Sequence, residues 1–343
     1  MTLSRPVRPS LADCLGPAEH RFFGDGFRRV RQRLHDIRVV RGPHAAEARA
    51  RASVRYPPDW SAKSTKGTLV PHLSSIDTLL LGAQLAEILL VHAYDLDPGA
   101  RSRMWLREVR LRAGGRPQED LDHLAVHGVA RPAESVPVVD GLRATVVHTR
   151  IGSMDVRSEV QHETGDGYRA DSGEARHAST VDALGEPCRC YFVEQFRHRG
   201  LEFVDMAVDR AAREIDATVR ITPAPGEGHP FSTGLEAAYG PSASMIDAIT
   251  VTGQLTQVLL YALDGLDRHD SDTLWLRRAT LSTRLPLRAL DRPFPARARI
   301  EDTHRLAMAD DTWRACDLSY SFHGISGRFA VAHRLPDRGP RSR

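Results

Sequence analysis

Two hydrophobic patterns alternate along this chain, and each predicts a different element. From Ile76 to Leu90, apolar residues leave almost no polar face, which predicts a helix that is buried on most sides. Six later segments alternate apolar and polar residues at period two, as half-buried strands do; they are residues 123–131, 142–151, 154–163, 296–308, 312–322 and 327–335. The pattern therefore predicts a buried helix together with antiparallel sheet.

An internal repeat arranges these elements into two units. Residues 71–111 align with residues 241–281 at a constant offset of 170, and 14 of the 41 positions are identical. Each unit is predicted to contain a strand, one central helix and about four further strands. This is the α+β double hot-dog arrangement, in which two tandem antiparallel sheets each wrap around a helix. The predicted bounds are 11–164 and 188–336 for the units and 165–187 for a mobile linker between them.

Composition narrows the class of protein. The 343 residues include 47 basic and 44 acidic side chains, a net charge of +3, which is too balanced for a nucleic-acid groove. The N-terminus has no apolar signal region, and Gln84 and Glu87 interrupt the longest apolar stretch, so neither secretion nor membrane insertion is expected. Four sparse cysteines fit a reducing compartment. We therefore expect a cytoplasmic protein without a metal site or cofactor.

Each predicted helix carries a matched polar stripe. Asp77 and Gln84 lie two helical turns apart, and Asp247 and Gln254 repeat this spacing. A buried carboxylate and a buried amide both need partners, and near a helix N-terminus they are candidates for catalysis. The Ser-x-x-Asp sequence that opens each helix also fits a capping box. Capping alone and capping combined with catalysis both remain open.

Other candidates lie outside the helices. Lys66, in a loop rich in Ser, Thr and Gly, is a candidate for binding a phosphate or sugar, although a plain surface loop also fits. His72, just before the first helix, is a second candidate base. Two matched pairs follow the helices and are candidates for substrate contact, with a core role for the tryptophans as the simpler alternative; they are Trp105 with Arg107, and Trp275 with Arg277.

Two segments resemble the avirulence D (syringolide-forming) family. The first contains Leu15-Gly16-Pro17, then residues 21–24 (RFFG) and 26–30 (GFRRV); the second is residues 71–77 (PHLSSID). The resemblance implies an enzyme that joins a β-ketoacyl thioester to a sugar such as xylulose. The product would be an acyl-furanone signal molecule, in parallel with the A-factor type butyrolactone synthases.

The resemblance also implies partners. An acyl carrier protein or a coenzyme A thioester would supply the acyl group, a small sugar would accept it, and a homodimer is possible in such proteins. The residues themselves suggest the roles in such a transfer: Asp77 or Asp247 is the candidate base, with His72 as a second. Gln84, Gln254 and N–H groups of the helices are the candidate donors to the thioester oxyanion. Two alternatives remain: a hot-dog dehydratase or thioesterase, and a non-catalytic protein that binds acyl ligands.

Overall fold

The computed structural model describes residues 9–42, 44–61, 70–134, 141–164, 173–230, 232–268, 274–308 and 311–336. Its helices are α1 (Leu11–Leu15), α2 (Phe27–Arg29), α3 (Ser75–Tyr94), α4 (Pro98–Ser102), α5 (Thr180–Leu184) and α6 (Met245–Asp264). The strands of the N-terminal half are β1 (Arg31–Arg41), β2 (Ala46–Arg55), β3 (Trp105–Arg112), β4 (Leu124–Pro132), β5 (Arg143–Ile151), β6 (Met154–His162) and β7 (Glu174–Ser179). Those of the C-terminal half are β8 (Gly200–Asp209), β9 (Glu214–Thr222), β10 (Trp275–Thr283), β11 (Phe294–Met308), β12 (Asp311–Phe322) and β13 (Ile325–Arg334).

One antiparallel sheet runs through the molecule in the order β7-β1-β2-β4-β5-β6-β3-β10-β13-β12-β11-β9-β8. The order β1-β2-β4-β5-β6-β3 is repeated in the second half by β8-β9-β11-β12-β13-β10, and the two halves meet where β3 pairs with β10. Each half wraps around one long helix, since α3 packs on β1 to β6 and α6 packs on β9 to β12. The fold is therefore a double hot dog, as the repeat predicts, with one more strand before each helix than expected.

The sequence sets the ends of both central helices in the same way. Ser74 and Ser244 are the N-caps, and each forms a complete capping box with the Asp three residues later. The helices end at Asp95 and Gly265, which adopt left-handed backbone conformations (φ 53° and 61°) that stop a helix after its last turn. Both helices have 20 residues and stand exactly one repeat apart.

The two central helices form the core of the fold. Both are long and apolar enough to cross a membrane by length and composition, but 89% and 78% of their apolar windows are buried inside the protein. Gly82 of α3 lies against β6, because a Cβ there would come within 2.6 Å of a Val156 methyl group. Each helix is thus enclosed by its own half of the sheet, which accounts for its apolar character.

The segment between the units differs from the expected mobile linker. β7 pairs with β1 through partners such as Ile37 and His177, and α5 follows it directly. β7 is therefore an edge strand of the first half's sheet, and α5 packs on β7 and β1. The predicted mobile linker is wrong for these residues because a short edge strand with exposed alternate residues has the same polar composition as a linker. The part of the predicted linker at 165–172 lies outside the described residues.

Candidate active site

An apolar cavity of about 140 Å³ opens at the N-terminal end of α3. Both halves of the chain and the N-terminal segment contribute to it, and its apolar wall consists mainly of Phe22, Phe23, Tyr56, Trp60, Met154 and Trp275. The rings form a connected cluster, with Phe22 and Trp60 edge-to-face at 5.6 Å and Tyr56 and Trp60 at 5.1 Å. A wall of this kind suits an acyl chain.

Asp77 lies directly behind this wall and has no solvent exposure. Its carboxylate accepts hydrogen bonds from Gln32 Nε2 (2.6 Å), Ser74 Oγ (2.7 Å) and the hydroxyl of Tyr56. Tyr56 in turn lines the cavity. The carboxylate therefore does not face the cavity itself; the Tyr56 phenol stands between them and connects them.

The environment keeps the Tyr56 phenol protonated at neutral pH. Burial raises the pKa of Tyr56 well above its usual range, and the neighbouring Asp77 carboxylate adds to this because it disfavours a second negative charge. The hydroxyl also lies 3.0 Å from the carbonyl oxygen of His72. Tyr56 is thus a neutral hydroxyl with a carboxylate behind it, which is a suitable arrangement for passing a proton.

The beginning of α3 adds hydrogen-bond donors at the cavity. The N–H groups of Ser75 and Ile76 belong to the first helical turn, which has no intrahelical acceptors, whereas those of Ser74 and Asp77 are used by the capping box. Ser75 lines the cavity. A carbonyl oxygen that develops negative charge would be stabilised at this helix N-terminus.

Arginines supply positive charge beside the aromatic wall. Arg21 and Arg268 both line the cavity. Burial, followed by the charge of Arg268, lowers the pKa of Arg21 to about 10, so both side chains stay charged at neutral pH. Arg21 donates to the Gln254 Oε1 atom and Arg268 donates to the carbonyl of His20 at 2.8 Å. These bonds hold the two guanidinium groups at the cavity wall.

The matching end of α6 is filled instead of open. Arg199 forms ion pairs with Asp247 and Glu227 and is only 5% exposed, while Arg288 lies 3.6 Å from Glu236. Burial lowers the pKa of Arg199, but the charges of Asp247 and Glu227 more than compensate, so the net shift is upward. The remaining space there is only about 20 Å³. Asp247 is therefore engaged in a buried ionic network, in addition to capping α6.

The two glutamines of the polar stripes have different surroundings. Gln84 Nε2 donates to the Phe192 carbonyl (3.0 Å) and Gln84 Oε1 accepts from Thr180 (3.3 Å). Neither Gln84 nor Gln254 lines the cavity, although Gln254 orients Arg21, which does. The geometry thus gives both amides partners within the protein. Of the predicted oxyanion donors, only those at the start of α3 lie at the cavity.

The other candidate residues are divided between the cavity and the core. His72, Trp275 and Arg277 line the cavity. Trp105 is fully buried, and Arg107 bonds Glu159 at 2.8 Å on the sheet, so this pair does not reach the cavity. The repeat therefore places only the second copy of the Trp–Arg pair at the site. Lys66 lies outside the described residues.

Tyr56 is not among the residues predicted from the sequence, although the repeat contains a signal for it. The strand that precedes α3 reads ASVRYPP at 52–58, and its counterpart reads ATVRITP at 217–223. Tyr56 thus replaces the apolar Ile221 at a position where the repeat otherwise keeps its pattern. Among the residues that the structure describes, no cluster of three or more His, Cys, Asp or Glu side chains offers a metal site.

Comparison with protein families gives a match over nearly the whole chain. The family model described as "Pseudomonas avirulence D protein (AvrD)" matches residues 7–336. Among curated proteins, none matches the sequence.

Solved structures with similar architecture share little sequence with this chain. The tesB protein of Mycobacterium avium subsp. paratuberculosis is 9% identical, covers 86% of this chain and 94% of its own, and has a TM-score of 0.37. The dehydratase domain of the polyketide PpsC from Mycobacterium tuberculosis is 13% identical (85% and 94% covered, TM-score 0.34). A hot-dog protein of unknown function from Alicyclobacillus acidocaldarius is 5% identical (86% and 94% covered, TM-score 0.35). Because these TM-scores and identities are low, the likenesses carry no argument about function. Any inference about function rests on the family match and on the geometry of the site.

Proposed function

Because this chain belongs to the avirulence D (AvrD) family, we propose that it is a biosynthetic enzyme that transfers a β-ketoacyl group from a thioester to a sugar such as xylulose. The product is an acylated sugar that leads to an acyl-furanone signal molecule. Acyl thioesters are carried by coenzyme A or an acyl carrier protein, and both belong to the cytoplasm, where we place this enzyme. The protein needs no cofactor for this transfer.

The observation that supports this proposal is the cavity at the start of α3, where a buried carboxylate stands behind a phenol. The aromatic wall takes the acyl chain, and the N–H group of Ser75 takes the thioester oxygen. The cations Arg21 and Arg268 hold sugar hydroxyls. These groups around one opening support acyl transfer.

The proton route follows from the contacts of Tyr56. A sugar hydroxyl bonded to the Tyr56 oxygen gives up its proton as the phenol passes its own proton to Asp77. The sugar oxygen attacks the thioester carbon, and the carbon–sulfur bond breaks. The leaving thiolate takes up the proton that Asp77 received, returned through Tyr56, so the site regains its starting state. The reaction exchanges one thioester bond for one ester bond and needs no further reactant.

The decisive experiment supplies the purified protein with a β-ketoacyl thioester, with and without xylulose, and follows free thiol. The proposal predicts thiol release only when the sugar is present. Equal release without the sugar would identify a thioesterase. Loss of water from a hydroxyacyl thioester without thiol release would identify a dehydratase, and binding without any turnover would identify an acyl-ligand binding protein.

A homodimer remains a prediction that size-exclusion chromatography with light scattering can test. The cavity draws on both halves of a single chain. A monomer is therefore expected to retain full activity, whatever the oligomeric state in solution.

A further inference from the structure

A second concave surface lies on the opposite, outer face of the sheet, where the two halves join. We call it the outer groove; it has a volume of about 540 Å³, and its basic lining consists of Arg110, Arg112, Arg150, Arg157 and Arg278. The alternation of the strands shows which face this is. Gly128 of β4 faces α3, because a Cβ there would lie 2.6 Å from a Leu85 methyl group, so its neighbours His127 and Val129, which line the outer groove, face away from the helix.

Like charges stand directly opposite each other across the strands of the outer groove. Arg278 of β10 pairs in register with Arg112 of β3, and Arg110 of β3 pairs with Arg157 of β6. Directly opposed like charges destabilise a sheet. The pair of Arg110 and Arg157 shares the carboxylate of Glu108. The pair of Arg112 and Arg278 has no such carboxylate among the described residues, which indicates that its charge serves a purpose other than stability.

The positive charge of the outer groove is only partly neutralised. Glu108 bonds both Arg110 and Arg157, at 2.8 and 2.7 Å, and Glu159 lies 3.6 Å from Arg157. Asp155 pairs with Arg150 at 3.5 Å. Arg112 and Arg278 are exposed, and within the described ranges no carboxylate forms an ion pair with either. Since the whole chain carries a net charge of only +3, this excess is local to the outer groove.

A histidine in the outer groove is affected by the same arginines. Burial lowers the pKa of His148, the charges of Arg157 and Arg131 lower it further, and Asp155 opposes this. The part of the shift that comes from the arginines has the sign expected beside a groove lined with positive charge.

The outer groove and the cavity meet in the middle of the sheet, where β3 ends and where β6 and β10 begin. Arg112 lines the outer groove and the next residue, Ala113, lines the cavity; the neighbours Asp155 and Met154 are divided in the same way. Arg278 and Arg277 form a third such pair. A ligand that passes around these strand ends reaches both openings.

We propose that the outer groove binds the phosphate groups of a nucleotide, and that this nucleotide is the adenosine 3′,5′-bisphosphate end of a coenzyme A thioester whose acyl chain enters the cavity. Guanidinium groups bind phosphate oxygens in a bidentate manner, and the volume fits a ligand of this size. The identity of the nucleotide, but not the binding of phosphate, rests on the proposed function.

The experiment measures binding of adenosine 3′,5′-bisphosphate and of inorganic phosphate to the full chain by calorimetry, at two salt concentrations. The nucleotide is expected to bind, more weakly at high salt, and Arg112→Gln and Arg278→Gln are each expected to raise its Kd about tenfold or more. Arg299→Gln, an exposed arginine on β11 of the second half, is the matched control and leaves the Kd unchanged. Equal Kd values in all four proteins, or no binding, would overturn the proposal.

A kinetic experiment separates this inference from the proposed function. The groove variants should raise KM for a β-ketoacyl coenzyme A thioester and leave KM for the corresponding pantetheine thioester, which lacks the nucleotide, unchanged. If neither thioester reacts but the nucleotide binds, the proposed function fails while the phosphate site stands. If inorganic phosphate binds as tightly as the nucleotide, or if the variants impair only a thioester on acyl carrier protein, the assignment to coenzyme A is wrong.

Discussion

Asp77 and Asp247 occupy equivalent positions in the repeat, but they bond different kinds of side chain. Asp77 is surrounded by neutral donors and reaches the cavity through Tyr56. Asp247 instead balances the charge of Arg199 in a site with almost no free volume. The same residue type in the two copies thus bonds a phenol at the cavity in one half and a buried arginine in the other. We therefore predict a catalytic role for Asp77 and a structural role for Asp247.

Replacing Tyr56 with Phe should reduce acyl transfer by about 10²-fold or more, since it removes the hydroxyl that links the substrate to Asp77. The fold should persist, because the ring remains in the aromatic cluster. Tyr191→Phe is the matched control, since the Tyr191 hydroxyl bonds Ser244 at the start of α6, away from the cavity. Initial rates of thiol release measure the effect, and an unchanged rate in the Tyr56 variant would refute the proton route.

Asp247→Asn should lower the free energy of unfolding by about 3 kcal/mol, because it leaves the buried Arg199 with one carboxylate fewer. Acyl transfer by the folded variant should stay near the wild-type rate. Asp13→Asn alters an equivalent but exposed capping box at α1 and should cause no comparable loss. Urea denaturation tests this, and a large loss of activity without loss of stability would instead place Asp247 in the active site.

At the scale of elements, a buried hydrogen-bond chain joins α3 to the sheet. Tyr94, the last residue of α3, contacts Thr145 of β5 at 2.9 Å, and Thr145 contacts Nε2 of His162 of β6 at 2.8 Å. Burial lowers the pKa of His162 from 6.5 to about 4. The folded protein therefore holds this imidazole in its neutral form.

Stability should fall as the pH decreases from 6.5 to 4, because in this range the unfolded chain binds a proton that folded His162 does not accept. The contribution of this residue amounts to about 3 kcal/mol across that window. In His162→Gln the dependence should be weaker by this amount, whereas His127→Gln, at a half-exposed side chain, should keep it. Urea titrations at several pH values give the slopes, and identical slopes in all three proteins would contradict the assignment.

The sequence predicts the elements better than it predicts their contacts. The offset of 170 locates both central helices and the paired strands β3 and β10, because helix periodicity and strand alternation are local properties. The ionic network at α6 cannot be predicted from local sequence, because its members come from separate segments; they are Arg199, Glu227, Asp247 and Arg288. The opposed arginines of the outer groove cannot be predicted either. Their pairing depends on strand register, and the local pattern does not define the register where the two halves join.

At the scale of the whole molecule, duplication has produced two halves with the same strand order and different interiors. The second half contributes Trp275, Arg277 and Gln257 to the cavity at α3. The N-terminal segment contributes Phe22 and Phe23 of the aromatic wall. Phe23 packs against Gly253 of α6, where a Cβ would lie 3.5 Å from the ring, so this segment is fixed by the second half. The second copy thus serves as a wall for the site of the first.

Acyl transfer to a sugar is tested most directly by the mass of the product formed from a β-ketoacyl thioester and ¹³C-labelled xylulose. We expect one product that contains both the acyl chain and the labelled carbons, formed by the wild type and by Tyr191→Phe and reduced about 10²-fold in Tyr56→Phe. A free acid without label, or equal amounts of labelled product from Tyr56→Phe, would contradict it.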